Sequence, residues 1–283
     1  MTRDTRGRRG IALVVVLWTV ALLATVTAMA SSAARSSAAI ASNMRALAVA
    51  RSMAESGIVA ASALIEDSLR VYGNNATLRD AFLARLEPRN ANAEPLLQDS
   101  LADGVFAVTV VDVSARLDVN DAGADGLAQL LATVTSPSAA RATAERLDAR
   151  VRGSARGDDA FADDSARARD SLSAALLGRT VGTRARRPFE SLDALQDVPG
   201  VDVGALAKIA SLLTVDGNGQ TNRRAATPAV LAAASGTLVD APSRLLVIAR
   251  GWERGHALSR QIEAVYDVAA DGLHLVRWRE HDR

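Results

Sequence analysis

The sequence predicts an α+β protein. It has a long N-terminal helix, transmembrane at first and amphipathic after, packed on a small antiparallel sheet with an all-helical domain inserted between the strands. Three observations carry this. Residues 11 to 30 hold no charge, and the helical period of apolar residues runs on beyond them. β-branched runs occur over 104 to 113 and again from 245 to 279. Between those runs the apolar residues recur at helical spacing, from about residue 125 to about residue 240.

At about 1.5 Å per residue, a helix over 11 to 30 crosses a hydrocarbon layer of roughly 30 Å. Arg3, Arg6, Arg8 and Arg9 precede it, partly offset by Asp4, and positive charge beside an apolar span holds that end in the cytoplasm. The rest of the chain is expected outside. A cleaved secretory signal has the same charge order. This apolar run is long for one, and the helical pattern continues past Ala28 and Ala30, whose small side chains could mimic a cleavage site. An uncut signal anchor fits the composition equally well.

Past Ala30 the residues Ile40, Met44, Leu47, Ala54, Ile58, Ala61, Ile65 and Leu69 form one semi-apolar stripe, and no proline intervenes before Pro88. The helix is expected to reach about residue 70 and stop at Gly73-Asn74-Asn75. The stripe is alanine-rich without sustained heptads, so it predicts packing on a sheet over coiling with another helix.

An irregular stretch with Pro88, Asn90, Asn92 and Pro95 leads to a strand over Gly104 to Val113. Asn120 and Asp121 are expected to bond locally in a turn. Leu127, Leu130, Leu131 and Val134 share a helical face, and Ser136-Pro137 caps a second helix carrying Ala140, Ala144, Leu147 and Val151. Residues 152 to 170 read as a polar loop whose pairs Asp158-Asp159 and Asp163-Asp164 could ligate calcium, although the ligand alternation and central glycine of an EF-hand are lacking. Leu172, Leu176 and Leu177 suggest a short helix, and Arg184, Arg186 and Arg187 a solvated basic run.

Residues 188 to 201 are predicted to form a helix ending in the Pro199-Gly200 turn, followed by a helix over Val203 to Leu213 capped by Asp202. Two helices about such a turn are also how a helix-hairpin-helix holds DNA phosphates, which makes a membrane-anchored DNA receptor the alternative function. Asp202 would repel phosphate, and Lys208 alone adds positive charge over the next dozen residues, whereas phosphate binding rests on several cations. No nucleic acid is expected. Thr227 and Pro228 start a last helix that ends at Gly236. Leu245 to Ala249, then the alternating stretch to Val268, the Asp271-Gly272 turn and Leu273 to Arg279 form the closing strands.

Chemistry is hard to place. The formal charge is +1 and there are no cysteines, so no strong field and no thiolate site exist. His256, His274 and His281 form no HExxH pair, no G-x-S-x-G elbow or phosphate-binding loop occurs, and Trp252 and Trp278 read as strand-packing residues. No catalytic residue, cofactor-binding residue or enzyme activity is expected. Calcium is the one cofactor the acidic loop leaves open.

Arg8-Arg9-Gly10 followed by Ile11-Ala12-Leu13-Val14 resembles the leader of prepilins, which a prepilin peptidase cuts after the glycine and whose new N-terminus is methylated. Most such proteins carry glutamate at the fifth mature position. Val15 stands there, and absence of that glutamate is characteristic of one branch, which the chain therefore resembles: the K-type minor pseudopilin of type II secretion (general secretion pathway protein K). Further resemblance lies in Ala50 to Ile58, in Ala115 to Asp121 (with Asp118 for the usual asparagine), in Asn222, Ala226, Pro228 and Leu231, and in Arg277-Trp278-Arg279-Glu280. The family's acidic stretch after the second inserted helix is not recognisable.

The resemblance implies a pilin-like fold with a SAM-like or helix-hairpin-helix-like insert. It divides the chain into a leader (1–10), transmembrane helix (11–30), pilin-like domain (31–124 and 241–283) and inserted helical domain (125–240). It implies processing at Gly10 and Ile11, an assembly role for Val15, and a place at the tip of a periplasmic pseudopilus anchored in the inner membrane. The partners would be the I-, J- and H-type minor pseudopilins and the major pseudopilin. A minor pilin of a type IV pilus is the neighbouring alternative.

Overall fold

The computed structural model describes residues 6–72, 75–86, 95–153 and 187–282. The expectations for Gly73, Asn74, Pro88, Asn90 and Asn92, for the aspartate pairs, for Leu172, Leu176 and Leu177, and for Arg184 and Arg186 lie outside the described residues.

The first element is one unbroken helix, α1, Arg6–Tyr72, about 100 Å long at the usual rise. Residues 13 to 45 are exposed on all sides, and burial begins at Ala46. The predicted stripe holds from Ala54 through Ile58, Ala61 and Ile65 to Leu69, whereas Ile40 is 58% and Met44 67% exposed. The stripe is continuous in sequence, but the sheet it needs reaches only as far down as Ala46. After Tyr72 an unanticipated helix follows, α2, Ala76–Leu86. Asn75 caps it, its Oδ1 accepting from the Leu78 amide at 3.1 Å, and Leu83 and Leu86 are buried.

Five strands make one antiparallel sheet in the order β1-β2-β7-β8-β9: β1 Leu97–Leu101, β2 Gly104–Asp112, β7 Arg244–Glu253, β8 Ser259–Ala269 and β9 Gly272–Asp282. β1, not foreseen, hairpins onto β2 through Ala102 (φ 51°) and Asp103. In β2 alternate residues are buried, the period-2 signature of a strand with one face on a core. That face (Phe106, Val108 and Val110, then Leu245, Val247 and Ala249, then Ile262, Ala264 and Tyr266) packs on α1 from Met53 to Leu69.

Small residues set the closeness of that contact. Cβ atoms added at Gly57 would meet Phe106 and Val108 at 3.1 Å, and one at Gly251 would lie 2.5 Å from the Ala54 nitrogen and 2.8 Å from Met53 Cβ. This gives a physical reason for the Ala50-to-Ile58 segment: its alanines and glycine let the helix sit on the sheet. Gly251→Ala should therefore destabilise the chain by about 1–3 kcal/mol, the usual cost of overpacking. Thermal unfolding of the detergent-solubilised protein measures it, and an unchanged midpoint would mean that α1 lifts off freely.

The described residues between β2 and β7 build a second core. Its described elements are β3 Leu117–Asp118, α3 Gly123–Leu131, α4 Pro137–Arg152, α5 Val203–Ile209, β4 Leu213–Thr214, β5 Gln220–Asn222, α6 Pro228–Ala233 and β6 Thr237–Val239. The caps fall where the sequence puts them: Ser136 on α4, Asp202 on α5 and Thr227 on α6, the last two accepting at 2.9 and 3.3 Å. Leu127, Leu130, Leu131, Leu147 and Ile209 fill the centre. Leu117 and Val119 pack there too, so this core starts before residue 125.

Residues 188 to 201 differ from expectation. They hold a single 3-10 turn, Asp193–Leu195, and no α-helix. Phe189 and Leu195 are each buried in the core, which fixes the segment as a series of turns. Two parallel pairs, β3 with β4 and β5 with β6, also escaped the sequence reading. Strands of two or three residues carry no period to detect.

Candidate functional site

Two features could carry function: the free part of α1, and the seam where the helical unit meets the sheet. Gly10 and Ile11 lie within the backbone of α1. Val15 is 55% exposed, as are its apolar neighbours Leu13 to Leu23 to similar degrees. The segment is apolar and long enough to cross a bilayer and touches nothing else in the molecule. Its threonines hide their hydroxyls: Thr25 and Thr27 donate to Ala21 and Leu23 carbonyls at 2.8 Å, which leaves no polar group asking for water.

The seam is polar and buried. Asp112, at the end of β2, accepts from the Ser114 amide and hydroxyl at 2.9 and 2.5 Å and from Asn222 Nδ2 at 2.7 Å. Burial still pushes its carboxyl above the ordinary range, against those hydrogen bonds. Across the seam Asp216, with a side chain only 6% exposed, receives Arg277 Nη1 at 3.2 Å and Arg279 Nη2 more closely. Arg244 donates to the Asp216 and Gly217 carbonyls at 2.9 and 2.7 Å while holding Asp267, and Arg279 also donates to the Glu190 carbonyl at 2.7 Å. The arginines come from β7 and β9, on the sheet face turned from α1.

Asn120 does more than the local turn expected of it. Its amide donates to the Phe189 and Val215 carbonyls, both at 3.1 Å, and accepts from the Phe189 amide at 2.7 Å, tying three segments together. The local turn bond is made by Asp118, which accepts from the Asn120 amide at 2.8 Å. Asp118 and Asp121 line a small cleft with Gly217, Gly219, Thr221 and Gly236. Burial, with Asp121 and Asp216 adding negative charge, pushes the Asp118 carboxyl up to about 7.

That raised value has a sign. Against an unfolded value of 3.8, Asp118 contributes stability that is fully present below 3.8 and is lost as the pH rises through about 7. Asp118→Asn, which keeps the acceptor oxygen, should raise stability at pH 8 by about 1–3 kcal/mol and change little at pH 4. Melting curves at the two pH values check this, and an equal effect at both would refute it.

Among the described residues no group of three or more His, Asp or Glu side chains stands where it could hold a metal ion. The histidines are dispersed into separate pairs, His256 with Glu253, His274 with Asp271 and His281 with Glu263. Trp252 and Trp278 point to opposite faces of the sheet, since Gly251 and Ala264, the strand partner of Trp278, face α1. The helix-hairpin-helix geometry is not formed either. Its first helix is absent, the Gly200 carbonyl accepts from Arg146 at 2.6 Å, and the Asp202 carboxylate occupies the start of α5.

No protein-family profile and no curated protein matches the chain. Among solved structures, the chain is similar to one in the crystal structure of the GspK-GspI-GspJ complex from the enterotoxigenic Escherichia coli type 2 secretion system. The likeness has a TM-score of 0.55 at 14% identity and covers 82% of this chain and 97% of that one. The chain therefore has the α+β, pilin-like fold of a chain in that secretion complex, built on one long N-terminal apolar helix.

Proposed function

We propose that this protein is a minor pseudopilin of a type II secretion system, of the K type, a structural subunit at the tip of the pseudopilus that primes its assembly. One observation carries the reading. The likeness covers 82% of this chain and 97% of the neighbouring one, more than the helix and sheet outside the insert could supply, so it reaches into the helical insert as well as the pilin-like sheet. The free helix supports it: a bare apolar segment of this length serves either as an anchor or as a surface for other helices, and a pseudopilus subunit uses both.

In this reading the Arg-rich start is cytoplasmic, α1 crosses the inner membrane and the folded units lie in the periplasm. Prepilin peptidase cuts between Gly10 and Ile11, the new N-terminus is methylated, and the partners are the I-, J- and H-type minor pseudopilins and the major pseudopilin. The insert, tied to β9 through Asp216, obstructs the addition of a subunit above. Immunogold labelling of sheared filaments tests the placement. Label confined to one end is expected, and label at regular intervals would overturn it.

A further inference from the structure

The face of the sheet that α1 covers is covered unevenly. α1 runs over β7, where Gly251 touches Ala50 and Ala54, and α2 lies beside it against β2, burying Leu83 and Leu86. On the opposite flank α1 reaches only the start of β9, where Leu273 joins the core, and no second described helix lies beside it. Strands are about 4.8 Å apart, so β9 lies about 10 Å from β7, which is also the spacing of two packed helices. The open strip beside α1 has about the width of one helix, and on the other flank α2 already packs alongside α1 against β2.

Its lining is apolar. Arg51 donates to Glu280 at 2.8 Å, and Glu66 stands over Gly272, 3.9 Å from where a Cβ would be. Those two ties fix how α1 runs past β9. Between them, Val59 lies on the same helical face as Arg51, Glu55, Ser62 and Glu66. Leu275 and Trp278 face it, because they pair with Tyr266 and Ala264. Val59 is 66% exposed, Leu275 55% and Trp278 40%. Lipid does not account for this, since Val59 lies about 44 Å further along the helix than Ala30. The rim is acidic: Glu55, Glu66, Asp271 and Glu280 outnumber Arg51 and His274.

We propose that this strip seats an amphipathic helix of a neighbouring subunit, with its apolar face on Val59, Leu275 and Trp278 and with Lys or Arg along its edges. The inference rests on the assembly role above and adds where the contact is made and what it recognises. The test uses the full chain with a photo-crosslinking residue in place of Val59 or Leu275, co-produced with the I- and J-type minor pseudopilins of the same system and irradiated in membranes. Crosslinks from both positions to one helix of either partner are expected. Val59→Glu and Leu275→Glu should each weaken copurification about tenfold without lowering the melting temperature, because both side chains are mostly exposed. A complex that forms with crosslinks only from α1 before residue 46 would overturn the seat and leave the assembly role standing. No complex with either partner would overturn both.

Discussion

Replacing Asp216 with alanine is expected to lower the stability of the folded chain by about 3 kcal/mol, because it removes the shared acceptor of two arginines from a buried seam. The alternatives open to those arginines are poor. Arg279 keeps Glu263 at 3.4 Å and the Glu190 carbonyl, but Arg277 is left with Glu190 at 4.0 Å, a side chain that is 88% exposed. Asp216→Asn should cost about half as much, since it preserves shape and one acceptor while losing the charge. Arg244 bonds to the backbone around Asp216 and is unaffected by either change. Urea unfolding of the detergent-solubilised chain reads the difference, and a loss under about 1 kcal/mol would put the seam among ordinary surface ion pairs. A second readout separates a loosened seam from general instability: limited proteolysis in Asp216→Ala should cut first at the crossings near Val113 and Asp240, before α1 is released.

The sequence carried the large elements because each was long enough to display a period or a cap. α1, β2, α4 and the β8–β9 hairpin were legible for that reason, and so was the order of sheet, helical insert and sheet. What escaped was short or long-range. β3 to β6 are pairs of two or three residues held by distant partners. α2 has a nearly even mix of polar and apolar positions, so only its burial of Leu83 and Leu86 distinguishes it. Pro188 to Val201 looked helical by spacing, but its hydrophobic residues are claimed one by one by the insert's core. The same cause hid the seam. Asp216 sits in a Val-Asp-Gly-Asn-Gly stretch that reads as an exposed loop, and Arg277 and Arg279 read as the polar side of an edge strand. Only the fold brings them within reach of each other. Lone charges carry no sequence signal of burial, although two arginines alternating on a terminal strand could have prompted a search for an acidic partner.

Changing Gly10 to valine is expected to leave the chain uncut and to stop it from supporting secretion, the largest functional effect foreseen from any single residue. The argument is steric and topological. The bond after Gly10 lies where the basic stretch of Arg6, Arg8 and Arg9 meets the apolar helix, which in the proposed topology is the cytoplasmic edge of the bilayer. A β-branched side chain at that bond stiffens the backbone and fills space that glycine leaves free. Without cleavage, four arginines and Asp4 remain attached to the end of a helix that, in the proposed assembly, packs beside its neighbours in lipid, where burying charge costs several kcal/mol. Mass spectrometry of the membrane-extracted protein should find Ile11 at the N-terminus of the parent chain and Met1 in Gly10→Val. An intact Met1 in the parent would instead make the segment a plain anchor. Val15→Glu separates cutting from assembly. It should be cut normally, since it lies beyond the scissile bond, yet assemble poorly, because in the proposed tip position no subunit above would supply a cation to the carboxylate it places in lipid. Normal assembly of Val15→Glu would show that another subunit does sit above this one and would move the protein from the tip into the body of the filament.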